Sequence, residues 1–423
     1  MHLGVLTMFA LRNLRRHLRR TVLTMLAMVV GGGLLSFSFA LGDGAHEAWI
    51  EAGVRMSTGH VTVQRPEFRV TRRLEDRLPS GVRQVAEAAL VTAEIAPLVA
   101  ARSSKLTIRG LASSAAGARP AQIFAVDPVA EATFGMVDNQ VAEGRYLEPD
   151  DRLAAYIGVG LANSLELELG SRMVVQAQDA HHEISAQLLR VVGIFRSGVP
   201  EVDQVLVHMP IGTAGEWLGS GHDVTNVGLV LTDSSRVGDV AARLEAALAG
   251  PVARGEAQVM GWRESNPALA AAIAIDDFGN YLVFGVLFVI IALGVINTVL
   301  MSVLHRHREF GVLQALGLTP GQTGSIVLIE GLTLTAVSGL AGVAIGCFLT
   351  WWFLGDGFDF SALLGEEMTF SGVVIDPIIV PLFYPWRMLQ IVLFMLVLGA
   401  GASIYPALRA AHVDVTEAMK FDR

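Results

Sequence analysis

Residues 281–317 read YLVFGVLFVIIALGVINTVLMSVLHRHREFGVLQALG. Residues 281–304 carry no charge, His305-Arg306-His307-Arg308-Glu309 follows, and a short segment then runs to Gly317. A helix rises about 1.5 Å per residue and needs about 20 apolar residues to cross ~30 Å of hydrocarbon. Residues 281–304 therefore have the length and composition of a membrane span. Working outward, residues 21–42, 326–354 and 388–407 qualify by the same measure, and none contains Lys or Arg. A buried helix of a soluble protein would be shorter and would keep a polar face.

Short cytoplasmic loops accumulate Lys and Arg. Residues 1–20 hold Arg12, Arg15, Arg16, Arg19 and Arg20 with no acid, and read as a basic amphipathic N-terminus on the cytoplasmic side. The segment 305–325 reads as cytoplasmic too. Residues 355–387 are acidic (Asp356, Asp359, Glu366, Glu367, Asp376) and belong outside. Arg409, Lys420 and Arg423 return residues 408–423 to the inside, so both termini are expected in the cytoplasm. A cleaved signal peptide competes for the N-terminus. The helical spacing of residues 45–51 favours a helix that leaves the bilayer as a stalk.

The composition agrees with two solvents. Of 423 residues, 52% are hydrophobic and 17% charged, and the greasy runs sit at the two ends while residues 43–280 read as an exported, water-facing domain. A net charge of −9 and the lack of a basic stripe exclude a nucleic-acid binder. Cys347 is the only cysteine, so no disulfide forms within the chain, and the exported domain relies on its core.

Within 43–280, period-two alternation at 59–64 and apolar β-branched runs at 189–195, 205–209 and 227–231 predict strands. Residues 82–90 and 237–248 predict helices. The expected class is α+β, with a subdomain boundary around 112–120 where small residues cluster. Residues 266–280 regain helical character and lead into the second span.

The stretch beginning Asn297-Thr298 resembles the coupling region of the FtsX, MacB and LolC/LolE permeases, whose pattern runs N-T-x-x-M-x-V-x-E-R-x-x-E-I-G-x-L-x-A-x-G. Asn297, Thr298, Met301, Val303, Arg306, Glu309, Gly311, Leu313, Ala315 and Gly317 match it, while His305 and Phe310 replace the usual Glu and Ile. The closing Tyr405-Pro406-Ala407 and Glu417-Ala418-Met419-Lys420 resemble the family's C-terminus, with Val415 in place of its Pro. MSTGHVTV after the first stalk and the region around 141–204 resemble its periplasmic core domain.

The resemblance implies four spans with a large periplasmic domain between the first and second. It implies an ATPase-coupling set of Arg306, Glu309, Phe310, Gly311, Leu313, Ala315, Leu316 and Gly317. Phe310, Leu313 and Leu316 are expected on one side of a short interfacial helix, facing another protein. Gly339, Gly342 and Gly346 are expected to serve packing in the third span; Glu330, grouped with them near the inner end of that span, reads equally as a carboxylate snorkelling to the headgroups or as a functional contact. A substrate-facing set between the first two spans would be Met25, Val29, Phe37, Phe284 and Phe288.

Neither lysine follows a glycine-rich run or precedes Ser or Thr, so residues 1–423 hold no P-loop. No cofactor is expected on this chain; ATP and Mg²⁺ belong to a partner ATPase, and the chain is expected to be non-catalytic. His46-Glu47 lacks the second His of a zinc-protease helix, no G-x-S-x-G elbow occurs, and His181-His182-Glu183 reads as a polar turn more readily than a metal site. The expected function is the permease subunit of an ATP-driven inner-membrane transporter that works by transmitting movement, releasing lipoproteins to a periplasmic carrier. Small-molecule or peptide efflux, and control of a periplasmic hydrolase, are the alternatives. The expected partners are a cytoplasmic ATPase dimer, a second permease copy or paralogue, and membrane lipids.

Overall fold

The computed structural model describes residues 18–360, 368–370, 373–375 and 378–412. In chain order the labelled elements are α1 (Leu18–Arg55), β1 (Val61–Gln64), α2 (Ser80–Leu90), β2 (Val99–Ser114), β3 (Gly117–Val126) and α3 (Pro128–Phe134). There follow β4 (Val141–Gly144), β5 (Ala154–Gly158), β6 (Arg172–Gln178), β7 (Ile184–Phe195), β8 (Leu206–Pro210), β9 (Asn226–Leu231), α4 (Val237–Ala247) and β10 (Gln258–Gly261). The chain ends with α5 (Pro267–His305), α6 (His307–Ala315), α7 (Pro320–Leu354) and α8 (Pro385–Ala411). The described residues form two compact units: one holds Glu47–Ala274, and the other holds residues 18–46, 275–359 and 378–412. Helices α1 and α5 each carry residues of both.

The first unit is built on a mixed sheet in the order β10-β1-β9-β2-β3-β8-β5-β7-β4, with β6 joined to β2 and β7. Its pairs are antiparallel except β3–β8 and β5–β7. The apolar runs read as strands become β1, the end of β7, β8 and β9, and the helices expected at 82–90 and 237–248 become α2 and α4. In α2, Val82, Ala86, Ala89 and Leu90 are the buried residues, a stripe at helical spacing that faces one side.

The two largest cores lie on different parts of the sheet. One gathers Val61, Val63, Val82, Leu229 and Leu244, the other Ile108, Ile123, Ile157, Val175 and Val207. The boundary expected around 112–120 is not there: those residues form the tip of the β2–β3 hairpin, where Ser114 faces Gly117. Strand β2 instead serves both cores, pairing with β9 over Val99–Lys105 and with β3 from Leu106 onward. Small residues cluster at 112–120 because a hairpin turns there.

In the second unit, four of the described helices are long and apolar enough to cross a membrane. Each outlasts the apolar run that betrayed it: α1 continues to Arg55, α5 starts at Pro267, and α7 starts at Pro320 rather than 326. Pro320 at N1 and a reciprocal Thr319–Gln322 capping box fix that start. Of the packing glycines, Gly346 and Gly342 sit against α1. A Cβ on Gly346 would overlap Ser36 Oγ and the Gly33 backbone, and one on Gly342 would meet Val29 O at 2.7 Å. Gly339 faces only the side chain of Met395, at 3.4 Å. Arg12, Arg15, Arg16, Glu366, Glu367, Asp376, Val415 and Lys420 lie outside the described residues.

Candidate functional site

Helix α5 ends at His305 and α6 begins at His307, so Arg306 alone makes the elbow between them. Its side chain is turned inward and Arg306 is 5% exposed. Nε donates to Glu309 Oε2 at 2.9 Å, and Nη1 donates to Glu330 Oε2 on α7 at 2.7 Å. The guanidinium also lies over the Phe310 ring, 4.9 Å from its centroid. A planar fork with several donors can hold two carboxylates and stack on a ring at once.

Phe310 is fully buried and joins a core of Met28, Val303, Val327, Ile391 and Met395. Gly311 is buried as well, and Leu313 is half-buried against the same core. Gln314 Nε2 donates to the carbonyls of Ala410 and Ala411, both at 3.3 Å, at the end of α8. At the end of α6, Gly317 takes φ +99°. Its N–H donates to Gln314 O, and Leu318 N–H reaches back to Leu313 O at 3.1 Å. This left-handed stop is a glycine conformation.

The outward side of α6 is not the one expected. Leu316 is 77% exposed while Phe310 is 0% exposed, so the two do not share a face. Steps of three residues fall about 60° short of a turn, and two such steps separate residues 310 and 316 by about 120°. Arg308, Val312, Ala315 and Leu316 form the exposed side, and Glu309 is half-exposed at its edge. Glu330, which the sequence left between a headgroup-facing carboxylate and a functional contact within the packing set, meets Arg306 at the elbow.

The five residues expected to share a cavity between the first two spans do not share one. Val29 and Phe37, with Val30, Gly33 and Leu34, line an apolar groove of about 580 Å³ whose other wall is Ile345, Gly346, Leu349 and Phe353 of α7. Phe284 stacks on Phe39 at 3.9 Å between centroids, and Phe288 lies against Phe394 at 4.5 Å. Met25 stands half-buried one turn before Val29. The close α1–α7 approach at Gly342 and Gly346 turns this side of α1 toward the third long helix, and aromatic stacking fills its contact with α5.

The sheet domain contains a charged cluster that sequence reasoning missed. Lys105 Nζ pairs with Glu131 Oε1 at 2.6 Å, and Ser103 Oγ donates to Glu131 Oε2 at 2.6 Å. The ammonium lies 4.4 Å from the Phe134 centroid and 5.4 Å from that of Phe124. Beside it, His208 is fully buried with Nδ1 3.1 Å from the Tyr146 hydroxyl. Burial and then the Lys105 charge push its pKa down to about 3. The rarity of lysine was the one available sign. At 179–183, Asp179 Oδ1 accepts from the amides of His181 and Glu183 at 2.8 and 3.0 Å, so the carboxylate organises a turn there.

The family model described as MacB-like periplasmic core domain matches residues 21–247, and the one described as FtsX-like permease C-terminal matches residues 281–415. The lipoprotein-releasing system transmembrane protein LolC of Neisseria meningitidis serogroup B is 25% identical over 271 residues, covering 63% of this chain and 64% of that protein. The ABC transporter permease YknZ of Bacillus subtilis is 24% identical over 421 residues, covering 98% of each. The macrolide export ATP-binding/permease protein MacB of Hyphomonas neptunium is 26% identical over 347 residues, 80% of this chain and 52% of that protein. The chain thus spans less than two thirds of the length of the LolC and MacB relatives. With the first model alone matching more than half of it, the chain belongs to the family of ABC-transporter permeases that carry a MacB-like periplasmic core domain and an FtsX-like C-terminal region.

Proposed function

We propose that this chain is the membrane subunit of an ATP-driven transporter that passes movement from a cytoplasmic ATPase to its sheet domain outside an inner membrane, and that its cargo is lipoprotein. Helix α6 is the contact for the ATPase, which supplies ATP and Mg²⁺. The four long helices are spans, both termini are cytoplasmic, and the sheet domain is exported between the first and second spans. Helices α1 and α5 are the rods, and a second permease chain completes the assembly.

One observation carries this reading: α6 is short, held on its inner side by Arg306, Phe310 and Gln314, and bare on the side of Arg308, Val312, Ala315 and Leu316. An anchored helix with one uncovered side suits receipt of a push. Similarity to LolC favours lipoprotein cargo, and a periplasmic carrier would then receive it. Similarity to MacB supports efflux as a second reading.

Depleting the protein and fractionating the membranes tests the cargo. Lipoproteins should accumulate in the inner membrane; an unchanged distribution, together with sensitivity to exported small molecules, would transfer the reading to efflux. The contact is tested by Leu316→Glu and Val312→Glu, which alter only exposed positions. Each should abolish recovery of an ATP-hydrolysing partner with the tagged full-length chain, and wild-type recovery would remove α6 from that role.

A further inference from the structure

We propose that Glu330 is a positioning residue: acting through Arg306, it sets the pose of α6 and makes α7, as well as α5, a receiver of movement at that helix. This rests on the reading of α6 as the ATPase contact. Glu330 is the only charged residue in Pro320–Leu354. It lies ten residues beyond Pro320, about 15 Å along the helix axis. A carboxylate alone at such a place in an apolar helix is costly and calls for a cation. Arg306 meets it at 2.7 Å, with the carboxylate side chain 13% exposed and the guanidinium side chain 6% exposed.

The geometry goes beyond charge balance. Arg306 is the elbow itself, its carbonyl accepts the Phe310 N–H at 3.1 Å, and its guanidinium covers the Phe310 ring. The same fork holds Glu309 on α6 with Nε and Glu330 on α7 with Nη1. Rotating α6 about the elbow must either break the ion pair or carry α7 along. The opposite tether, from Gln314 to the end of α8, is a pair of longer neutral bonds. Displacement at Leu316 is therefore delivered through Arg306 to Glu330.

The test uses the full-length chain in lipid nanodiscs, with Cys347→Ala and a nitroxide on Leu316→Cys, and needs no partner. Glu330→Gln, which keeps shape and removes charge, should make the label's spectrum more mobile than in the wild type, while Glu330→Asp should leave it unchanged. An unchanged spectrum in Glu330→Gln overturns the proposal. Should that variant fail to fold, Arg306→Lys replaces it, because it keeps the charge and loses the fork; the same two outcomes apply. The ATPase-bound complex is then assayed with unlabelled chains that keep Leu316. Loss of the link between ATP turnover and cargo release in Glu330→Gln supports both readings; a mobile label with wild-type coupling overturns the assignment of α7 as a receiver through Glu330, whereas the ATPase contact of α6 falls only if Leu316→Glu and Val312→Glu recover the ATPase as the wild type does.

Discussion

In the sheet domain the side chains of Lys105 and Glu131 are 2% and 3% exposed, whereas Arg306 at the α5–α6 elbow is 6% exposed and its partners Glu330 and Glu309 are 13% and 42% exposed. The first pair is closed: Ser103 takes the spare carboxylate oxygen, and two phenyl rings lie against the ammonium. The second has an open arm, since one guanidinium serves a carboxylate in the packed interior and another at the edge of an exposed helix face. A closed pair specifies one arrangement. An open one can exchange partners, which suits an element that another protein moves.

The largest expected effect lies in the closed pair. Lys105→Met would strand the Glu131 carboxylate in an apolar site, and breaking a buried pair in this way costs about 3–5 kcal/mol. Chemical unfolding of the purified chain should show that loss. Lys105→Met combined with Glu131→Leu should recover much of it, because an apolar pair of similar volume removes the uncompensated charge. Equal losses in the single and double variants would mean that packing around Phe134, not charge, dominates.

Next come the α1–α7 glycines. Gly346→Ala must displace Ser36 and the Gly33 backbone, while Gly339→Ala meets only the yielding end of Met395. Overpacking of the first kind costs about 1–3 kcal/mol, so thermal unfolding in detergent should separate the two variants clearly. Similar midpoints would show that α1 and α7 can part at small cost.

The contrast between the pairs also marks what the sequence could reveal. The four long helices were legible because their apolar runs are long, and the elbow residues Arg306 and Glu309 were legible through a motif. The continuations of α1 and α5 into polar sequence were legible too, as stalk helices over 45–51 and 266–280, whereas the start of α7 was not: Pro320 and the Thr319–Gln322 capping box begin it six residues before the apolar run at 326. The partner of Arg306 could not be found, because Glu330 lies 24 residues away and only packing brings them together. Phe310 was placed on the wrong side of α6 because a spacing of three describes a short helix whether its apolar side meets a partner protein or its own core. The β2–β3 hairpin was hidden by exposed, mixed residues at its tip, whose alternation is weak.

A smaller effect comes from His208, which separates the closed cluster from the open one by pH. Burial and Lys105 hold its folded pKa at about 3, against about 6.5 in an unfolded chain. The unfolded state therefore binds more protons between these values. The stabilisation is fully present above pH ~6.5 and is lost toward pH 3 at about 1.4 kcal/mol per pH unit. Burial lowers the pKa of His60 as well, in the same sense. Unfolding midpoints at pH 7.5 and 5.5 should differ, and His208→Gln should reduce the difference; a pH slope unaltered by that change would place its origin elsewhere.

The smallest change in stability is expected at Glu309. With its side chain 42% exposed, its bond to Arg306 is screened by water, and such pairs contribute about 0–1 kcal/mol. Glu309→Gln should thus leave the unfolding midpoint nearly unchanged and the mobility of the label at Leu316 as in the wild type, because Glu330 still holds the guanidinium. If the open arm exchanges partners when the ATPase docks, the same variant should weaken the link between ATP turnover and cargo release. Stability and coupling would then separate at a single residue, which they cannot do at Lys105. A Glu309→Gln chain with wild-type coupling would make the open arm a surface ion pair and remove the functional distinction between the two clusters.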